Sequence, residues 1–307
     1  MRIVFMGTPA FAAACLAAVL ETEHPVVGVY TKPDTPKNRG MKLIPSEVKT
    51  LAQAHGLPII QPASFKEDAV CEELKALAPD LIVAVAYGKI LPQRALDIPP
   101  LGCVNIHGSV LPALRGSAPV QWAVLKDLPE TGVTAMYMNA GMDEGDIIDV
   151  RTTPIGENET AGELMERLAP IGAALLKDTL AAIAAGTAAR RPQDPALASY
   201  APMLTKALSP VDWSRPARAI LAQIRGLNPW PAASAVLGGT EFKLWEARPC
   251  ETAAKAAPGT LLELTKQGLA VACGDGAIRI TRLQAPGGKA MHAADYFRGH
   301  PIQMNNE

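Results

Sequence analysis

Apolar and polar positions along this chain of 307 residues fall into two textures. In the first part, short wholly apolar runs alternate with longer amphipathic ones. Ile3 to Met6, Val26 to Tyr30, Ile59-Ile60, Leu81 to Ala86, Val104 to His107 and Thr134 to Met138 have the length and apolar continuity of buried strands. Between and after them, Ala10 to Leu20, Ser46 to His55, Lys66 to Leu77 and Gly162 to Ala185 read as helices. Thr8-Pro9 suits the start of the first, and Gly56 the stop of the second. Ala69, Val70, Leu74 and Leu77 share one face of the third. Strand and helix taking turns predicts an α/β, doubly wound, mostly parallel sheet of Rossmann-like type. Sites in such sheets form beyond the carboxyl ends of the strands, and His107 falls at one of those ends.

After Gly186 the texture changes. Arg190 to Pro210 holds four prolines and no clear periodicity, which reads as a linker. Ser214 to Leu227 predicts one helix. Ala233 to Leu237, Phe242 to Ala247, Gly259 to Glu263, Leu269 to Cys273 and Ala277 to Leu283 follow as short strands. Gly238-Gly239, Lys266-Gln267-Gly268 and Gly274-Asp275-Gly276 separate them. This spacing predicts a small β barrel. The expected division is 1–189, a linker over 190–206, and 207–307.

Length alone suits two domains. A net charge of -1 gives no global basic field, so no general attraction to DNA is expected. The balance is uneven: from Thr205 onward there are 12 Lys+Arg against 8 Asp+Glu, which leaves room for a polyanion footprint there. The first residues read as a strand rather than a secretory leader. No apolar run reaches membrane-spanning length. Five widely spaced cysteines without Cys-x-x-Cys argue against a disulfide framework or a zinc site. A cytoplasmic protein, with no metal, no membrane and no DNA partner, is the expectation, and a monomer the default.

Candidate chemistry sits in Asn105-Ile106-His107-Gly108-Ser109-Val110-Leu111-Pro112 and, further on, in Gly141-Met142-Asp143-Glu144-Gly145-Asp146. In an extended segment, Asn105 and His107 face the same way. Asp143 adds a carboxylate from a Gly-flanked turn. An amide donor, an imidazole and a carboxylate can handle a developing oxyanion and a proton transfer without a metal, which points to acyl-type transfer. Ser109 lies in no Gly-x-Ser-x-Gly elbow and holds the loop rather than attacking. Gly7-Thr8-Pro9 lacks the second glycine of a dinucleotide fingerprint and reads as a tight turn, which disfavours a nicotinamide oxidoreductase. Thr31 to Leu43 is expected to be a long basic loop, with Lys32, Lys37, Arg39 and Lys42 against only Asp34. It is suited to gripping phosphates.

These residues resemble a known family. Asn105 to Pro112, Arg115-Gly116-Ser117-Ala118-Pro119 and Gly141 to Gly145 are similar to the folate-dependent formyltransferases. The Lys32-Pro33-Asp34 to Pro45-Ser46 loop, with Arg39-Gly40, and Asn228-Pro229-Trp230-Pro231 resemble the branch of the family that formylates methionyl-tRNA. The resemblance runs over essentially the whole chain. It implies a catalytic domain over 1–189, a linker over 190–206 and an OB-like, tRNA-binding barrel over 207–307. It implies that 10-formyltetrahydrofolate donates a formyl group to the α-amine of methionine on initiator tRNA, for translation initiation. Asn105, His107 and Asp143 fall on catalytic positions. Ser109, Val110, Leu111 and Pro112 fall on a folate-contacting loop, and Ala86, Tyr87 and Gly88 on a wall of the pterin pocket. Arg39, Lys42, Lys37 and Lys206 are assigned to tRNA. Arg215, Arg218, Lys243, Lys289 and Arg298 are further basic residues from which such contacts would be drawn. One departure is visible: Ala113 stands where the family often has a basic residue.

Rival readings are a formyltransferase for an amino-sugar nucleotide, which the basic loop disfavours, and one for glycinamide ribonucleotide, which needs no second domain. A formyltetrahydrofolate hydrolase would use water as acceptor. A non-enzymatic RNA-binding protein leaves the Asn105, His107 and Asp143 constellation unexplained.

Overall fold

The computed structural model describes residues 1–37, 42–251 and 256–304. The chain forms two compact units. One comprises residues 1–119, 130–154 and 165–202, and the other 120–129, 155–164 and 203–307.

The first unit is built on seven strands: β1 (Ile3–Gly7), β2 (Val26–Tyr30), β5 (Ile59–Ile60), β6 (Leu81–Val85), β7 (Cys103–His107), β8 (Glu130–Tyr137) and β9 (Ile147–Pro154). Their order in the sheet is β5-β2-β1-β6-β7-β8-β9. The first five run parallel, and β8 and β9 return antiparallel. The sheet is thus mostly parallel, as its apolar runs imply. Ile3, Val4, Phe5 and Met6 of β1 are fully buried, and each such side chain contributes about 1.5–3 kcal/mol by leaving water. Connection order reverses between β1 and β6. In open parallel sheets, sites form beyond the carboxyl ends of the strands beside such a reversal.

Helices α1 (Ala10–Leu20), α2 (Glu47–Ala54), α3 (Asp68–Ala76), α4 (Gln93–Leu96), α5 (Pro119–Leu125) and α6 (Ala161–Ala184) occur in chain order between and after these strands. The Ser46 side chain caps α2 by accepting from Lys49 N at 3.1 Å, which satisfies one orphan amide.

Three expectations are corrected. The stretch read as a long loop contains a hairpin, β3 (Thr35–Lys37) against β4 (Lys42–Ile44). Strands of three residues are too short for alternation to show. Strand β9 was not anticipated, because Ile147 to Pro154 is half exposed and polar along much of its length. The helix predicted from Ser214 begins at Ala217, as α7 (Ala217–Gly226). Ser214 instead closes a local turn, donating from N and Oγ to Asp212 Oδ1 at 3.0 and 2.6 Å.

Residues 190–202, whose prolines suggest a linker, pair near both ends with the rest of the first unit. Arg191 and Ile147 exchange two backbone bonds of 2.8 and 3.0 Å. Arg115 and Tyr200 form a parallel bridge.

The second unit is an antiparallel sheet of β10 (Ala233–Leu237), β11 (Thr240–Cys250), β12 (Leu261–Thr265), β13 (Gly268–Cys273), β14 (Gly276–Gln284) and β15 (Met291–His292). Its order is β10-β11-β14-β13-β12, with β15 on β14. Gly238 and Gly239, both at positive φ, make the tight β10–β11 turn. Bulges at Leu244 to Ala247 bend β11. Helix α8 (Ala293–Gly299) brings Tyr296 and Phe297 edge-on to Phe242 of β11, at 5.2 and 5.8 Å. Among the described residues, no helix is long and apolar enough to cross a membrane.

Candidate active site

Strand alternation places Asn105 and His107 on one face at the end of β7. Asn105 is opposite Ala84 of β6 and Met136 of β8, and His107 is opposite Thr134. The turn between β8 and β9 carries Asp143 back over them. Asp143 Oδ1 accepts from Asn105 Nδ2 at 3.4 Å, and its Oδ2 lies 3.6 Å from His107 Nδ1. Oδ2 also accepts from Gly116 N at 2.8 Å. His107 is buried, at 6% exposure. Its Nε2 sits 3.0 Å from Leu114 O. A carbonyl only accepts, so Nε2 carries a hydrogen and Nδ1 is the nitrogen that faces the carboxylate.

The loop after β7 is held by hydroxyls. Thr134 Oγ1, on a fully buried residue, donates to Ser109 O at 2.6 Å and accepts from Leu111 N at 3.1 Å. Ser109 Oγ donates to Ala113 O at 2.6 Å, a holding contact rather than a nucleophilic pose. The Leu111–Pro112 peptide is cis. Val110 and Pro112 are half-buried and Leu111 buried. Ala113 offers backbone bonds alone to this loop.

Ala86, Tyr87 and Gly88 leave the carboxyl end of β6, beside the strand that carries Asn105. Ala86 and Gly88 have positive φ, 44° and 70°. Thr8 Oγ1 donates to Tyr87 O at 3.2 Å, tying this segment to the turn after β1. The Tyr87 ring is buried against Phe65, with centroids 6.3 Å apart. Burial pushes its hydroxyl well above the usual phenol range. Cys103, on the same strand as Asn105, is no nucleophile. Burial first, then the Asp97 charge, push its thiol up to about 12.

The residues assigned to tRNA are less fully placed. Arg39 lies outside the described residues. Lys37 and Lys42 stand opposite each other in the β3–β4 hairpin. The hairpin's base is clamped by Asp34, which accepts from Lys49 Nζ at 2.6 Å and from Gln61 Nε2 at 3.0 Å. Those two donors, Lys49 foremost, hold the Asp34 carboxyl below its ordinary range. Lys206 is exposed in a short 3-10 turn of the second unit. Arg215, Lys243 and Lys289 of that unit are exposed, whereas Arg218 pairs with Asp127 and Arg298 with Asp295 at 2.9 Å. A cleft of about 450 Å³ in the second unit is lined by Asp127, Ile155, Arg218 and Pro249 among others, and none of Asn105, His107 and Asp143 reaches it. Chemistry, rather than concavity, singles out the end of β7. Among the described residues, no group of three or more His, Cys, Asp or Glu is placed to hold a metal ion.

Two residues of the site escaped sequence reasoning. Arg115, only 4% exposed, donates from Nε and Nη2 to Gln193 Oε1 at 3.1 and 2.8 Å. Gln193 Nε2 donates to Asp143 O and Gly145 O at 2.9 and 2.8 Å. Arg115 was visible only as part of a motif. Gln193 had no signal, lying in a Pro-rich stretch without periodicity.

The family described as formyl transferase matches residues 1–180, and the formyl transferase C-terminal domain matches residues 203–301. A methionyl-tRNA formyltransferase of Pseudomonas paraeruginosa is 49% identical over 304 residues, covering 99% of this chain and 97% of that protein. One of Trichlorobacter lovleyi is 45% identical, covering 99% and 95%. Among solved structures, the N-formyltransferase from Helicobacter canadensis, in complex with folinic acid and dTDP-3-aminofucose, superposes with a TM-score of 0.70. It is 19% identical, and the match covers 91% of this chain and 98% of that one. HypX from Aquifex aeolicus, in complex with tetrahydrofolic acid, gives 0.66 at 21% identity. The match covers 99% of this chain, which spans about half of HypX (48%). At such identities the solved structures speak for the fold alone. With both domain profiles matched and relatives at nearly half identity over their whole length, the chain belongs to the formyltransferase family, in its methionyl-tRNA formyltransferase branch.

Proposed function

We propose that the chain transfers the formyl group of 10-formyltetrahydrofolate to the α-amine of methionine carried by initiator tRNA, at the carboxyl end of β7. The observation that carries this reading is the convergence of Asn105, His107 and Asp143. The Asp143 carboxylate receives an Asn105 N–H on one oxygen and faces His107 on the other. One Asn105 N–H is thereby spent on orientation, and the second is left to meet an oxyanion.

The neutral amine attacks the formyl carbon. A C–N bond forms, and the carbonyl pair moves onto oxygen, where the Asn105 amide stabilises it. The proton shed by the attacking nitrogen passes to the Asp143–His107 pair, with Nδ1 the receiving nitrogen of the ring. When the tetrahedral intermediate collapses, the bond to N10 of the folate breaks. N10 takes that proton back, and tetrahydrofolate and formylmethionyl-tRNA leave. Ser109, Val110, Leu111 and Pro112 on one side, and Ala86, Tyr87 and Gly88 on the other, hold the folate. Enclosure there keeps out water, which would hydrolyse the donor. Lys37, Arg39, Lys42 and Lys206 meet the tRNA. Residues 1–189 act as the catalytic domain and 207–307 as an OB-like tRNA-binding domain, with 190–206 between them. The protein works in the cytoplasm as a monomer.

The test is formyl transfer from labelled 10-formyltetrahydrofolate, with methionyl initiator tRNA, uncharged tRNA and an amino-sugar nucleotide as parallel acceptors. Transfer to methionyl-tRNA alone, reduced by Arg39→Ala, supports the reading. Transfer to the sugar nucleotide, or donor breakdown without acceptor, overturns the choice of substrate.

A further inference from the structure

We infer that Gln193 is a positioning residue for the reaction, holding the Asp143 carboxylate in place through the Asp143 backbone. This inference rests on the reading of the site given above. Asp143 adopts a left-handed backbone conformation, φ 55°. Asp tolerates that conformation better than most residues with a Cβ, at a modest cost that surrounding contacts offset.

Two sets of bonds supply them. Gly116 N holds the side chain at Oδ2, at 2.8 Å. Gln193 Nε2 holds the main chain, spanning Asp143 O and Gly145 O at 2.9 and 2.8 Å across the bend. The other end of the same amide accepts two N–H bonds from Arg115. Arg115 and Gly116 are consecutive, so the bonds close a ring: Arg115 to Gln193, Gln193 to Asp143, and Asp143 back to Gly116.

Only a primary amide fits this position. Its oxygen must face a buried guanidinium and its nitrogen two carbonyls, which also settles which way the amide points. The Arg115 charge polarises the amide and strengthens its N–H bonds to the Asp143 turn. The segment bearing Gln193 is fixed on both sides. Arg191 pairs with Ile147, Ser199 O accepts from Arg115 N at 2.8 Å, and Ala201 O accepts from Ser117 N at 3.0 Å. Gln193 therefore sits on a rigid strap, as a positioning group requires.

The experiment compares wild type, Gln193→Met, Gln193→Glu, Asp143→Asn and the double variant Asp143→Asn/Gln193→Met in the full chain. It reads kcat, KM for methionyl-tRNA and the thermal midpoint. Gln193→Met lowers kcat about 10- to 100-fold, with KM changed less than about twofold. Gln193→Glu keeps the Arg115 partner but sets a carboxylate against two carbonyls, so its kcat falls at least as far. Because Gln193 acts through Asp143, the double variant loses little beyond Asp143→Asn alone. Wild-type kcat in Gln193→Glu, or additive losses in the double variant, overturns the inference. If Gln193→Met does not fold, the Glu variant decides alone. If Asp143→Asn retains wild-type kcat, the reading of the site fails and the inference with it. If Asp143→Asn loses activity while both Gln193 variants keep it, the inference alone fails.

Discussion

His107 and Asp143 face each other across 3.6 Å, Nδ1 to Oδ2, while the far nitrogen of the ring is occupied by Leu114 O at 3.0 Å. The ring is thereby left with one exchangeable position, directed at the carboxylate. His107→Gln removes that position. Its kcat for formyl transfer is expected to fall about 100-fold or more, with the thermal midpoint little changed, as single-turnover assays and calorimetry can establish.

Asn105→Ala removes both the Asp143 contact and the N–H that the proposed mechanism directs at the oxyanion. A drop in kcat of about 100- to 1000-fold is expected, with tRNA affinity near wild type. Rapid-quench transfer and filter binding separate the two.

Thr134→Val keeps the shape of a fully buried side chain and deletes two hydrogen bonds, those to Ser109 O and from Leu111 N. Leu111 N then has no partner in the core. The expected loss is about 2–3 kcal/mol of stability, read by urea denaturation. KM for the folate is expected to rise with it, since the proposed donor site includes the loop at Ser109 to Pro112.

Gly116→Ala meets two obstacles. The residue has φ 113°, and an added Cβ would stand 2.8 Å from Ala201 O, a backbone atom. The loop must shift, and Gly116 N then leaves Asp143 Oδ2. Loss of about 2–3 kcal/mol of stability, together with loss of turnover, is expected. Wild-type values for both would show that this bond holds nothing.

In the second unit, burial pushes the Asp127 carboxyl up, but its bonds to Arg218 and Arg225 outweigh this and hold it below the usual range. Its folded value lies below its unfolded one. The pairing therefore stabilises the fold above about pH 4, and the contribution is lost as pH falls further, through the folded value. Asp127→Asn is expected to cost about 1 kcal/mol near pH 7, since Arg218 is largely exposed. That difference shrinks as pH drops below 4, the pH at which unfolding curves of the two proteins should begin to converge.

Much of this molecule was legible from one sequence because burial leaves periodic traces. Strands β1, β6 and β7 are buried over most of their length, and their apolar runs mark them. The shared face of Asn105 and His107 follows from strand alternation alone. What stayed hidden is what tertiary hydrogen bonds decide. Gln193 lies in a segment with no pattern, and its role depends on Arg115 and Asp143, far away in sequence, arriving at either end of its amide. Strand β9 was obscured by its polar, half-exposed residues, and the β3–β4 hairpin by its brevity.

The most direct test of the central claim is the single-turnover rate of formyl transfer to methionyl initiator tRNA by wild type and Asp143→Asn under saturating 10-formyltetrahydrofolate. Rapid transfer by wild type, slowed by two or more powers of ten in the variant with tRNA binding intact, is the predicted result. Equal rates in the two proteins would contradict it and remove the end of β7 as the place where the formyl group moves.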